Sequence, residues 1–332
     1  MRKTNSTFIR ICLFILPITG SLSAADDLVL WYEQPAETWV EALPVGNGRL
    51  GAMVFGGIAT ERIQLNEESV WAGKPRDRDR EGAYKHLQKA RQLFFEGNYV
   101  EGERIMQEEF MGPRIAPLSY QILGDLWLEF DHTEEIQNYR RELDLDTAIA
   151  SIQYRCDGAE YKREVFASPV DQVLVVRLAC NDPRQLNFTI RLTRPENAEV
   201  SVRDNTLILS GQADKGEETE GVNFNAHLTV MNTSGNISAK DNALQVQNAD
   251  SVLLYLSAAT DYRDGDPESL CSKYMEGIQN KDYQDVKEEH IAEHQRLFRR
   301  VSLDLGETEA RNIPTDERLR AMKDGFRDPE MV

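Results

Sequence analysis

Asn66, Glu67, Glu68 and Trp71 sit within residues 62–75, Arg-Ile-Gln-Leu-Asn-Glu-Glu-Ser-Val-Trp-Ala-Gly-Lys-Pro. The segment reads as a strand running into a turn. Amide, carboxylate and indole are the groups that hold a sugar: the polar ends bond hydroxyls and the ring offers an apolar platform. Asn66, Glu67 and Trp71 are therefore candidate substrate-binding residues. Adjacent residues of a strand point to opposite faces, so Glu67 and Glu68 are not the facing carboxyl pair that glycosidic cleavage needs. A tryptophan plugging the end of a β-sandwich explains Trp71 equally well.

A second candidate is His290-Ile-Ala-Glu293-His294, the inverted zinc pattern, with both histidines on one helical face. Zinc needs a further protein ligand, and these three residues lie in a Glu-rich helix, so solvated or interdomain histidines are expected and no metal is assigned. Gly46-Asn47-Gly48 permits a close or left-handed backbone. It precedes a strand rather than a helix, so it is a turn and not a phosphate loop. There is no Gly-x-Ser-x-Gly, and no cofactor is expected. Asn187, Asn232 and Asn236 head glycosylation sequons that matter only in a host with that pathway.

The elements that would position these groups are mostly β. Leu126, Leu128 and Phe130 alternate with Trp127. Asp157-Gly158 separates two strands and predicts a tight hairpin. Residues 173–178 form a near-continuous apolar run, expected for a strand covered on both faces. Frequent turn signals between short strands predict a large antiparallel β-sandwich over residues 26–262. One helical hairpin interrupts it, from Tyr84 to Phe94 and from Tyr99 to Phe110, with Gly97-Asn98 between. It reads first as cover for a sheet edge and second as a loop over a site. Residues 263–332 read as a helical linker and the truncated start of a catalytic region: a helix over 282–300, a short strand over 301–305, and a last helix N-capped by Thr315.

The first 25 residues read as a secretory signal peptide, with Arg2, Lys3 and Arg10 ahead of an apolar run and Ser23-Ala24-Ala25 at its exit. Export, periplasmic or secreted, is expected. The run is too short to span a membrane. The formal net charge of −18 excludes nucleic acid as a natural partner, since phosphates call for a basic surface, whereas a neutral glycan meets no such objection. Cys156, Cys180 and Cys271 are odd in number and widely spaced, and read first as buried thiols and second as one bridge plus a free thiol in an oxidising compartment.

Residues 42–57, Ala-Leu-Pro-Val-Gly-Asn-Gly-Arg-Leu-Gly-Ala-Met-Val-Phe-Gly-Gly, together with 62–75, 121–128, 292–305 and 315–320, resemble the glycoside hydrolases of family 95, the α-L-fucosidase type, in that family's order. The resemblance implies an N-terminal β-sandwich joined by a helical linker to an (α/α)6 barrel. It implies inverting cleavage of α-L-fucosides or the closely shaped α-L-galactosides, by a Glu acid and an Asn–Asp pair that positions water. Those groups belong to the barrel and its His-x-Asn-x-Asn motif, which this sequence lacks, so no catalytic residue is assigned. The expectation is a truncated chain, inactive alone, whose partners are a fucosylated oligosaccharide and its own or a separately encoded barrel. A free-standing carbohydrate-binding module is the rival.

Overall fold

The computed structural model describes residues 28–73, 77, 79–112, 119–132, 135–213, 221–231, 235–263, 265–306 and 308–331. The first 25 residues, read as a signal peptide, and the Asn232 sequon lie outside the described residues. Sixteen strands, numbered in chain order, form two sheets. The larger runs β1 (Val29–Tyr32), β6 (Gln137–Asp144), β7 (Ile149–Cys156), β8 (Ala159–Ser168), β9 (Val173–Cys180), β16 (Ser251–Thr260), β13 (Asn223–Met231), β12 (Thr206–Gln212), β11 (Ala198–Arg203). The smaller runs β14 (Asn236–Lys240), β15 (Ala243–Ala249), β10 (Leu186–Thr193), β5 (Gly124–Phe130), β4 (Thr60–Glu67), β3 (Leu50–Val54), β2 (Leu43–Gly46). Every pairing is antiparallel.

Alternation decides what faces inward. In β5 Leu126, Leu128 and Phe130 are buried between the sheets while Trp127 and Glu129 turn out. In β9 Leu174 and Val176 join that core, whereas Val173 and Val175 enter a second one on the outer face, beneath two helices. This double cover explains the apolar run. The helices are α3 (Pro267–Ile278) and α4 (Tyr283–Phe298), which supply Ile278 and Val286 to the second core. Asp266 caps α3 by accepting from Ser269 N at 2.9 Å, with Pro267 in its first turn. Asp282 caps α4 through Asp285 N at 2.8 Å.

The Asp157-Gly158 turn joins β7 to β8 with φ of 51° and 78°. A Cβ on Gly158 would meet open space, so Gly158→Ala is strained only by its left-handed backbone. It is expected to cost about 1 kcal/mol by urea unfolding, with Gly158→Asn costing less.

Three expectations are corrected. The hairpin of α1 (Leu87–Phe95) and α2 (Tyr99–Glu109) connects β4 to β5, which are neighbours inside the smaller sheet. It therefore stands off the sandwich end instead of covering an edge. Residues 301–305 join neither sheet, and Val301 and Leu303 are exposed. Their alternation finds no strand to pair with. Thr315 is the first residue of α5 (Thr315–Lys323), whose N-cap is Pro314. The Thr315 hydroxyl instead accepts from Trp31 N at 3.0 Å, and Trp31 Nε1 donates to Arg311 O at 3.1 Å. These bonds dock the last helical segment on edge strand β1.

Candidate functional site

The β2–β4 surface of the smaller sheet carries a groove of about 410 Å³. Its polar wall comes from β4, where Gln64 and Asn66 point outward between buried Ile63, Leu65 and Glu67. Met53 and Pro44 form its floor, and Trp39 and Tyr120 bound it. Trp39 opens a short 3-10 helix whose entry is fixed by Glu41, which accepts from Thr38 N at 3.1 Å and Glu37 N at 2.9 Å. The fixed entry holds an indole that is 56 % exposed. Tyr120 is held from behind: its hydroxyl donates to Glu67 O at 3.1 Å, and its ring lies 5.1 Å from that of Trp71. Burial holds the Tyr120 phenol above its ordinary pKa, so it stays a neutral donor.

Asn66 and Trp71 thus meet through Tyr120, a residue that sequence reasoning missed. The available signal was its position just ahead of the Gln121-Ile-Leu-Gly-Asp-Leu block. Trp71 itself backs the groove: its Nε1 donates to Glu68 O at 3.1 Å, and its backbone bridges Tyr120. Glu67 is not brought to the same surface. It is 2 % exposed, accepts from Ser69 N at 2.8 Å and Ser69 Oγ at 2.7 Å, and lies 3.6 Å from Arg49. Glu68 points the other way, to Arg263 at 2.7 Å.

The Gly46-Asn47-Gly48 turn is explained by its own bonds. Asn47 Oδ1 accepts from Arg49 N and Leu50 N at 3.0 and 2.7 Å, and Nδ2 donates to Ser168 O at 2.9 Å. His290 and His294 donate Nε2–H to Thr147 O and Leu145 O, both at 2.9 Å. They fasten α4 to the β6–β7 turn, and Glu293 pairs with Arg296 at 2.6 Å. Cys271 is buried and donates to Asn225 O, and Cys180 is half-buried.

The buried carboxylates among the described residues all face cations: Glu61 meets Arg163, Glu67 Arg49, Asp125 Arg62, Asp146 Arg299, Glu164 Lys287, and Asp328 Arg318. The groove, with Gln64 and Asn66 beside Trp39 and Tyr120, can hold a neutral, hydroxyl-rich ligand against aromatic rings.

Comparison with known proteins places this geometry. Residues 30–265 match the family described as Glycosyl hydrolase family 65, N-terminal domain. Residues 282–332 match the Glycosyl hydrolase family 95 catalytic domain. The chain is 31 % identical to Alpha-L-fucosidase 2 of Arabidopsis thaliana over 92 % of its own length and 40 % of that protein's. It is 28 % identical to Probable alpha-fucosidase A of Aspergillus niger over 93 % of its length and 41 % of that protein's. It spans well under half the length of these curated relatives. A solved structure titled Putative kojibiose phosphorylase from human microbiome has a TM-score of 0.48 at 7 % identity, over 82 % of this chain and 38 % of that one. With a family 65-type N-terminal domain over residues 30–265 and a family 95 catalytic-domain match over residues 282–332, this chain belongs to the glycoside hydrolases of family 95.

Proposed function

We propose that this chain is the sandwich and linker part of an exported α-L-fucosidase. Residues 1–332 alone hydrolyse no α-L-fucoside, and the groove at Trp39, Asn66 and Tyr120 contacts the glycan. The reading of the substrate rests on the continuous similarity to Alpha-L-fucosidase 2 over 92 % of the chain. The reading of inactivity rests on the described lining of the groove, which carries no carboxyl group to serve as acid or base. Export rests on the residue order of the first 25 positions. No described helix is long and apolar enough to cross a membrane.

Two measurements test it. A chromogenic α-L-fucoside incubated with the purified chain is expected to release no more chromophore than buffer. Turnover that co-purifies with the chain and survives repeated chromatography defeats the claim of inactivity. Calorimetric titration with fucosylated oligosaccharides is expected to saturate, and Trp39→Ala to weaken binding by about tenfold. Trp39 is largely exposed, so the variant should keep its fold. Undiminished binding by the variant would remove the groove from the proposal.

A further inference from the structure

The floor of the Trp39 groove is polar on one side only. Strand pairing sets the outward residues of β2, β3 and β4 in two rows, Pro44–Met53–Gln64 and Gly46–Gly51–Asn66. Both amides therefore stand on β4. Gln64 makes no side-chain hydrogen bond among the described residues, and Asn66 shares one with the Tyr120 hydroxyl, so each keeps donor and acceptor capacity for a ligand. The half over β2 and β3 presents Pro44, Met53 and the side-chain-free Gly51, with the Trp39 ring beside them. No charged side chain lines either half.

Gly51 makes the apolar half hollow. Its backbone is not left-handed, and an added Cβ would meet Val45 O at 3.6 Å and Asn66 Cβ at 3.8 Å, which are ordinary contacts. The local fold does not require glycine there, so the effect of the missing side chain is room above β3. A sugar whose ring hydroxyls bond the β4 amides sets its other edge over that room. A hydroxymethyl group placed there would bury an oxygen with no side-chain partner, whereas a methyl group would fill the hollow against Met53 and the indole. An unpaired buried hydroxyl loses roughly tenfold in affinity, and an apolar pocket rejects an added hydroxyl by about a hundredfold at most.

We propose that the groove selects a 6-deoxyhexose over the matching hexose, with the ring hydroxyls on Gln64 and Asn66 and the C6 methyl between Gly51, Met53 and Trp39. The proposal rests on the reading of this groove as the glycan contact and names the feature of the sugar that it recognises.

The test is calorimetric titration of the whole chain with three sugars that share one ring configuration and differ at C6. Methyl α-L-fucoside carries a methyl, methyl α-L-galactoside a hydroxymethyl, and methyl β-D-arabinopyranoside only hydrogen. The fucoside is expected to bind about tenfold more tightly than the galactoside and about fourfold more tightly than the arabinoside, the worth of one buried methyl. Met53→Gln puts an amide into the apolar half and should bring fucoside and galactoside to within about twofold of each other. Gly51→Val fills the hollow with a residue that strands favour, and should weaken the fucoside about tenfold or more. A galactoside that binds as tightly as the fucoside, or a preference that survives Met53→Gln unchanged, overturns the proposal and leaves the groove as a glycan contact. If none of the three sugars saturates, or if fucoside binding is the same in Trp39→Ala, the groove itself is the wrong place and both readings fall.

Discussion

Arg163→Met is expected to destabilise the sandwich by about 3–5 kcal/mol, the usual result of stranding one member of a buried ion pair. The partner is Glu61, 0 % exposed on β4, which also accepts from Phe55 N at 3.1 Å and Gly56 N at 2.9 Å. Arg163, on β8, further donates to Gly57 O at 3.2 Å and stacks over Phe130 with its guanidinium carbon 5.1 Å from the ring centre. The pair therefore links the two sheets through the core. In thermal unfolding the loss corresponds to a fall on the order of 10 °C. The pH dependence separates lost charge from lost packing. Burial is the largest influence on Glu61 and raises its pKa; Arg163 is the largest opposing one. Without Arg163 the raised folded pKa rises further above the unfolded value of about 4.3. An acid raised in this way stabilises fully below the unfolded pKa and loses that contribution as pH climbs through the folded one. The gap between wild type and variant should therefore shrink on going from pH 8 to pH 5. A gap that is equal at both values would mean that the side chain matters for its contacts with Phe130 and not for its charge.

This network also shows what the sequence could not announce. Glu61 reads as an ordinary polar position at the start of an alternating strand, and Arg163 as one in a hairpin arm. Only the stacking of two sheets brings residues 102 positions apart into contact. Local signals were legible where local physics sets them. The Asp157-Gly158 turn, the inward face of β5 and the two-sided burial of β9 each follow from backbone preference or side-chain period. The α3 helix was not read, although Asp266-Pro267 followed by Ser269 is an N-cap with proline in the first turn; the glycine and acids before it read as loop. Residues 301–305 show the converse error, since alternation marks a strand only where another strand can meet it. At the candidate site Asn66 and Trp71 were legible as sugar-binding types. Tyr120, which joins them, arrives from across the helical hairpin, and no spacing rule spans that distance. Trp39 was likewise outside any motif, and it borders the groove because the chain ahead of β2 turns back over β3 and β4.

The second large effect has the opposite pH sign. Glu164 lies on β8, one residue from Arg163 and therefore on the outer face of the larger sheet, beneath α4. Tyr283 Oη and Lys287 Nζ from α4 donate to it at 2.7 and 2.8 Å, with Lys162 and Arg177 close by. Burial alone would raise its pKa, but the bonds from Lys287 and Tyr283 outweigh it and bring the carboxyl to about 2. A folded pKa depressed below the unfolded ~4.3 contributes stability that is complete above the unfolded value and lost as pH falls toward the folded one. The shift corresponds to about 3 kcal/mol at neutral pH. Few apolar side chains back this contact, with Val286 the buried one at its centre and Ile291 partly buried, while Lys281–Asp171 and Arg299–Asp146 add further charged ties. The α4 helix is therefore expected to loosen from the sheet between about pH 4.5 and pH 2, before the sandwich core opens. Hydrogen exchange should show amide protection in 283–298 falling in that window while protection in β8 and β9 persists. Glu164→Gln should show the loosened helix already at pH 7, with a smaller further change on acidification as the Asp146 carboxylate that holds Arg299 and Gln295 is protonated. Helix protection that tracks the core through the same titration would mean that apolar packing, and not the Glu164 carboxylate, holds the linker in place. The contrast with Glu61 is set by how deeply each acid is buried. Glu61 lies in the dry space between the sheets, where desolvation outweighs Arg163 and two backbone N–H donors, whereas Glu164 sits on the outer face where Lys287 and Tyr283 from a covering helix outweigh it.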